Sequence, residues 1–196
     1  MEKSNRIILA ITGASGAIYG LQAIKTLKDL QFDVHLVISP VGAQVIAEET
    51  YTNIETLLES VDKTYQPDDL TAPIASGSFN THGMLIIPCS IKTLSGIANS
   101  YAENLVQRAA DVCLKEGRPL LLAVRETPLH VGHLRLMIQA AQTGAVIYPL
   151  APSFYTHPET IDDLVKTTTG RMLTRIGIEN HLYQPWDKHN SNDAVR

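Results

Sequence analysis

The sequence predicts an α/β fold in which a parallel sheet is covered by helices on both faces. Apolar runs of strand length recur at residues 7–11, 34–38, 84–88, 120–124 and 145–148. Segments of helical periodicity separate them, which is the alternation expected of βα units. The runs are apolar throughout rather than alternating, as strands buried on both faces are.

The first run breaks into Thr12-Gly13-Ala14-Ser15-Gly16-Ala17 and resumes as Ile18, Leu21, Ile24 and Leu27, so it reads as strand, glycine turn and helix. Small residues there let main-chain N–H groups converge on an anion at a helix N-terminus, where unpaired donors and the macrodipole both favour negative charge. A phosphate is the ligand this turn predicts. The spacing Gly13-x-x-Gly16-x-x-x-Gly20 is not the dinucleotide fingerprint, and the second strand ends in Ser39 where a ribose-binding acid would stand. Asp33 precedes that strand, at its wrong end. A mononucleotide such as FMN fits better than a nicotinamide dinucleotide, and a turn that only packs helix on strand is the alternative. Further helices are predicted at 17–30, 41–50, 54–60, 94–98, 104–115, 129–143 and 161–178, the last with a stripe of Ile161, Leu164, Val165, Met172, Leu173 and Ile176. Residues 62–79, with Pro67, Asp68, Asp69, Pro73 and Gly77, read as a loop.

With 196 residues, 44% of them hydrophobic, the chain can bury one substantial core, and one domain is expected over 1–186 with a polar tail over 187–196. The net charge is −4 and no block of Lys or Arg suggests a nucleic-acid or anionic-membrane surface. Cys89 and Cys113 make neither a disulfide framework nor a metal site, so a reducing cytoplasm is expected. Residues 1–6 are too short and polar for a signal sequence, and no apolar stretch is long enough to span a bilayer.

Ligands of open parallel sheets bind beyond the carboxyl ends of the strands, and the polar residues here collect there. The third strand is followed by Pro88-Cys89-Ser90-Ile91-Lys92-Thr93-Leu94, whose hydroxyls and Lys92 suit a phosphate or a flavin edge. Arg125-Glu126-Thr127-Pro128 follows the fourth strand, its proline suited to a first helical turn, and the fifth ends in the aromatic loop 149–155. Other motifs favour plainer readings. The turn around Ser15 lacks the second glycine of a nucleophile elbow, since Ala17 stands there. His130 and His133 lack a third metal ligand and suit capping or surface roles. Asp68-Asp69 and Asp162-Asp163 read as turn and helix-start residues, Cys89 as a small core residue, and Arg108, Lys115 and Arg171 taken singly as helix-surface charges.

Taken together, Gly13-Ala14-Ser15-Gly16-Ala17, Ala75-Ser76-Gly77-Ser78, residues 88–94, Arg108-Ala109-Ala110-Asp111-Val112 and Arg125-Glu126-Thr127-Pro128-Leu129 resemble the flavin prenyltransferases of the UbiX/Pad1 family, over residues 6–178. The resemblance implies a three-layer flavodoxin-like, Rossmann-related fold and a homododecamer with sites at subunit junctions. It implies a transferase, formerly described as an aromatic acid decarboxylase, that joins a dimethylallyl group from dimethylallyl monophosphate to reduced FMN without a metal. The product would serve a UbiD-type decarboxylase, in ubiquinone synthesis or in the breakdown of aromatic acids. Carried over by motif, FMN would be held by Gly13, Ala14, Ser15, Ser39, Ser90, Ile91, Lys92, Thr93 and Arg125. The donor phosphate would meet Lys115, Arg125, Tyr155 and Arg171, with Arg108 in the same basic set. Glu49, beside Glu48, and Glu126 match the acid/base carboxylates, Ser15 a hydroxyl beside the reactive ring, and Trp186 an aromatic face for an allylic cation. Two other readings remain open: an FMN-dependent cysteine decarboxylase of the same superfamily, and a non-catalytic flavin carrier.

Overall fold

Six strands, β1 (Arg6–Ile11), β2 (Asp33–Ile38), β3 (Lys63–Tyr65), β4 (Gly83–Cys89), β5 (Leu120–Val124) and β6 (Val146–Ile147), lie in the order β3-β2-β1-β4-β5-β6, every neighbouring pair parallel. The computed structural model describes residues 4–185. Trp186 and the tail 187–196 lie outside the described residues. Ile7 pairs with Val34 on one side and Gly83 on the other, so strand order reverses between β1 and β4. That reversal opens a crevice at the carboxyl ends of these two strands.

Helices α1 (Ala17–Asp29), α2 (Pro40–Glu49), α3 (Ile54–Glu59), α4 (Ile91–Ala98), α5 (Leu105–Lys115), α6 (Val131–Gln142) and α7 (Ile161–Arg175) complete the chain order. Side chains alternate across a strand, and β1 shows it: Ile7, Leu9 and Ile11 enter one core with Ala23, Leu27, Met172 and Leu173 of α1 and α7. Ile8 and Ala10 enter the other, with Leu94, Ile97, Leu105 and Cys113 of α4 and α5. Each fully buried Ile or Leu contributes about 1.5–3 kcal/mol. The result is the expected three-layer flavodoxin-like arrangement. At Gly20 the helix approaches the sheet so closely that a Cβ would lie 2.6 Å from the Ile87 carbonyl oxygen. Among the described residues no helix is long and apolar enough to cross a membrane.

Four boundaries depart from the sequence reading. Residues 62–79 are not wholly loop: β3 adds an edge strand, His35 opposite Lys63, and Pro73–Ala75 form a short 3₁₀ turn. Asp62 anchors this edge by accepting from the Val34 N–H at 2.8 Å and from Lys28 Nζ. Helix α4 starts at Ile91 rather than 94 because Ser90 Oγ accepts from the Thr93 N–H at 3.3 Å. Helix α6 starts at Val131, capped by His130 Nδ1 accepting from the Gly132 N–H at 3.0 Å, which leaves Pro128 outside the helix. Helix α7 stops at Arg175, where Gly177 at φ 83° turns the chain.

His35 of β2 is buried, with Nδ1 2.8 Å from Tyr65 Oη and its ring edge-on to Phe79. Burial lowers its pKa, the Arg6 charge adds to this, and Asp33 and Asp62 only partly oppose it. Folding therefore favours neutral imidazole. This contribution is whole above the unfolded value of about 6.5 and is lost as pH falls towards the folded one. Urea titrations of the wild type between pH 7 and pH 5 are expected to show stability falling with acid. In His35→Leu that part of the slope disappears.

Candidate active site at the switch point

The turns after β1 and β4 are braced by one buried threonine. Thr12 Oγ1 donates to the Pro88 carbonyl at 2.8 Å and accepts from the Ser90 N–H at 2.9 Å. The Ala14 N–H closes the glycine turn on the Thr12 carbonyl at 2.8 Å, and Gly16, at φ 105°, supplies the left-handed residue from which α1 departs. Ser39 Oγ caps α2 by accepting from the Gly42 N–H at 3.0 Å. Gly42 presses on the end of β1, where a Cβ would stand 2.5 Å from the Ile11 carbonyl oxygen.

Helix α2 then delivers Glu49 back to the start of α1. Glu49 Oε2 accepts from the Gly16 N–H at 2.8 Å and the Ala17 N–H at 3.0 Å. Where the sequence predicts a phosphate, the N–H groups of Gly16 and Ala17 thus meet the protein's own carboxylate. Burial would raise its pKa, but hydrogen bonds from the Ser15 hydroxyl and the two N–H groups, with the Arg125 charge, outweigh it and hold Glu49 below the usual carboxylate range. Glu49, rather than its neighbour Glu48, is thus the carboxylate that meets the start of α1, hydrogen-bonded by Ser15 and within the field of Arg125. With the folded pKa depressed, this stabilisation is present above the unfolded value of about 4.3 and is lost as pH falls through the folded one. Glu49→Ala is expected to cost about 1 kcal/mol at neutral pH, as removal of a helix cap does. Urea titrations check this, and the gap to wild type should close in acid.

Around β4, Thr93 is buried while Ser90 is half-exposed. Ser90 satisfies the Thr93 N–H, so the N–H groups of Ile91 and Lys92, at the positive end of α4, have no partner among the described residues. The Lys92 side chain leads outwards, with Nζ 3.8 Å from Glu103. Arg125 continues from β5 with its N–H on the Cys89 carbonyl at 3.3 Å. Its side chain is exposed and has no carboxylate in ion-pair range among the described residues. Glu126 is exposed beside it and accepts from the Thr127 N–H at 3.0 Å.

The loop after β6 closes over the start of α1. The Tyr148 N–H donates to the Leu122 carbonyl and the Leu150 N–H to that of Val124, both at 2.9 Å. The side chains of Tyr19 and Leu150 flank Gly16, 3.3 and 3.6 Å from where its Cβ would lie. Tyr148 is half-buried; burial raises its phenol pKa, Arg171 opposes this, and Tyr155 and Tyr183 add to it. Arg171, on α7, is exposed and without an ion-pair partner among the described residues. Asn180 Nδ2 donates to the Gly170 carbonyl at 3.0 Å, folding the chain back onto α7 so that Tyr183 lies against Gly170. Sequence reasoning singled out none of Tyr19, Tyr148 and Tyr183, since a lone tyrosine carries no motif.

The fold gathers Gly13, Ala14, Ser15, Ser39, Glu49, Ser90, Ile91, Thr93 and Arg125 around the crevice, with Tyr155 and Arg171 on the α1/α7 side. It does not bring Lys115 there. Arg108 and Lys115 both lie on α5, in the layer shared with α4, where Arg108 Nη1 is 2.9 Å from Asp111 and Nε donates to the Ala75 carbonyl at 3.2 Å. Lys115 Nζ is 2.5 Å from Glu116, beside Gly77, at the end of α5 that leads into the start of β5. At about 3.3 Å per residue, the length of β5 alone separates that level from Arg125 by roughly 16 Å.

His130 is a cap, its ring 3.6 Å from that of His133, and among the described residues no three His, Cys, Asp or Glu are grouped to hold a metal. Burial pushes the thiols of Cys89 and Cys113 up to about 12, so neither is a thiolate at neutral pH. Asp163 forms a capping box with Thr160 at the start of α7.

The Flavoprotein family matches residues 1–173. The flavin prenyltransferase UbiX of Escherichia coli K12 is 51% identical over 184 residues, covering 92% of this chain and 97% of that protein. The solved structure of AnUbiX (PadA1) in complex with FMN and dimethylallyl pyrophosphate superposes with a TM-score of 0.92 at 38% identity, covering 94% of this chain and 98% of that one. A dodecameric FMN-dependent UbiX-like decarboxylase from Escherichia coli O157:H7 gives a TM-score of 0.90 at 42% identity, covering 93% and 99%.

Proposed function

From the premise that this chain belongs to the UbiX family of flavin prenyltransferases, we infer that it joins a dimethylallyl group to reduced FMN. The observation that carries this reading is the Glu49 carboxylate held by the Gly16 and Ala17 N–H groups at 2.8 and 3.0 Å at the β1/β4 crevice, with the Ser15 hydroxyl and the Arg125 charge acting on the same group. The crevice suits a flavin mononucleotide. The N–H groups of Ile91 and Lys92, unpartnered among the described residues, and the Arg125 guanidinium are donors for its anionic and carbonyl edges, and the Gly13–Ser15 turn offers backbone without bulk. Reduced FMN, when bound, supplies the ring nitrogen and neighbouring carbon that accept the prenyl group.

The chain's residues do the rest. Arg125 and Arg171 hold the donor's phosphate and take up the charge that grows on it as the carbon–oxygen bond breaks. The Tyr155 ring offers a face to the allylic carbon as it becomes electron-poor. Glu49, held ionised, orients the Ser15 hydroxyl, and Glu126, open to solvent, is the carboxylate that exchanges protons with the departing phosphate. We take the donor to be the monophosphate, although the solved relative holds the pyrophosphate.

In this reading the cation set is completed by Arg108 and Lys115 from neighbouring copies in a homo-oligomer. Two features support assembly. Helix α6 exposes Val131, Leu134 and Ile138 at 61, 47 and 57%, and buries only Ala140. One solved relative is dodecameric. The product would pass to a UbiD-type decarboxylase, and the two free, buried cysteines suit a reducing cytoplasm. Anaerobic incubation with reduced FMN and dimethylallyl phosphate tests the activity: mass spectrometry should find the flavin heavier by one prenyl unit. Unchanged flavin would refute it.

A further inference from the structure

We propose that the cavity between α4 and the start of α5 binds a small zwitterion, an α-amino acid with an apolar side chain. The cavity has a volume of about 360 Å³, and of its lining residues only Lys92 belongs also to the flavin set. Its floor is Gln107 of α5, a carboxamide only 3% exposed. Gln107 Oε1 accepts from the Glu103 N–H at 2.9 Å, which fixes the amide and leaves Nε2 facing α4. There it meets Gly96, where a Cβ would collide with Nε2, so a glycine inside the helix keeps open the space the amide occupies. Nε2 has no acceptor among the described residues. The fold uses the oxygen of this side chain and leaves its N–H groups, taken out of bulk water, for an acceptor that enters the cavity.

The rim carries both signs. Lys92 Nζ stands 3.8 Å from Glu103 Oε2, a loose pair whose side chains are 82 and 51% exposed. A plain anion that met Lys92 would also meet the Glu103 charge, and at that spacing the two nearly cancel. A zwitterion uses both: its carboxylate accepts from Gln107 Nε2 and Lys92, while its ammonium faces Glu103. One wall is apolar. Tyr101 is held at the cavity by its N–H on the Gly96 carbonyl at 2.8 Å, and its exposed ring and the bare Gly96 backbone leave room for an apolar side chain.

The test uses L-phenylalanine, 3-phenylpropionate and phenethylamine, which share one ring and chain and carry both charges, the negative one alone and the positive one alone. Calorimetric titration of the assembled, FMN-loaded protein should give L-phenylalanine a Kd of about 1 mM or lower, with each single-charge analogue bound about 10-fold more weakly. Glu103→Gln, a change on an exposed side chain, should keep Tm and FMN affinity and abolish the preference for L-phenylalanine over 3-phenylpropionate. Gln107→Met should weaken both of these ligands alike, about 10-fold. The proposal is overturned by a lack of L-phenylalanine binding at about 10 mM, by 3-phenylpropionate binding as tightly in the wild type, or by a selectivity that Glu103→Gln does not move. A crystal structure of the assembly with another copy's side chain filling the cavity would overturn it too. The prenyl-transfer reading is tested separately, by the mass of the flavin.

Discussion

Arg171→Ala is expected to lower the rate of prenyl transfer by about 10³-fold, the upper range for removing one preorganised group that stabilises developing negative charge. FMN affinity should be retained, because Arg171 projects from α7 while the flavin-facing donors lie in the Gly13–Ser15 turn and at the start of α4. Single-turnover product formation and a fluorescence titration of FMN measure the two quantities separately. Arg171→Lys should recover only part of the loss, since an ammonium offers charge without the planar fork that matches phosphate. A flavin carrier would be indifferent to both substitutions and would still supply its partner. A transferase keeps its flavin and loses its product.

Lys115→Ala and Arg171→Ala, each nearly inactive alone, are expected to restore one another when the two chains assemble together. Lys115 lies at the end of α5 that leads into the start of β5, roughly 16 Å from the level of Arg125, so in the proposed reading the site draws it from a different copy than Arg171. In a random one-to-one mixture about a quarter of the sites receive both wild-type residues, and activity should rise to about that fraction of wild type. Co-expression with distinct affinity tags, followed by purification of the mixed assembly, gives the measurement. Activity that stays at the level of two inactive parents would mean that one copy supplies both residues, and a Lys115→Ala parent with wild-type activity would mean that Lys115 serves its own α5 surface, paired with Glu116 at 2.5 Å.

The sheet was legible because its strands, buried on both faces, are written as unbroken apolar runs, whereas β3 was not. Lys63-Thr64-Tyr65 is a polar edge of three residues, held by pairing to β2 and by the Asp62 carboxylate on the Val34 N–H. Physical reasoning about the α1 N-terminus correctly required an anion there, but nothing local says that residue 49, more than 30 positions away, supplies it. Resemblance pointed to Glu49, beside Glu48, and the path of α2 brings Glu49 to the Gly16 and Ala17 N–H groups. Pro128 suggested a first helical turn, yet His130, capping Gly132, sets the start of α6 later. Tyr19, Tyr148 and Tyr183 were hidden for a related reason: they come from α1, from the segment after β6 and from the segment after α7, and only the folded chain relates Tyr148 to the other two. Motif matching grouped Arg108 and Lys115 with Arg125 because chemistry groups them, while the layer each helix occupies is a property of the folded sheet.

The most direct measurement is a crystal structure of the assembled protein with FMN bound. The flavin should lie across the β1/β4 crevice, its ring beside Ser15 and its anionic end on the N–H groups that open α4, with Arg171 and Tyr155 facing it and Lys115 arriving from another copy. A flavin bound elsewhere, or an assembly that leaves Lys115 remote from every Arg171, would contradict the account.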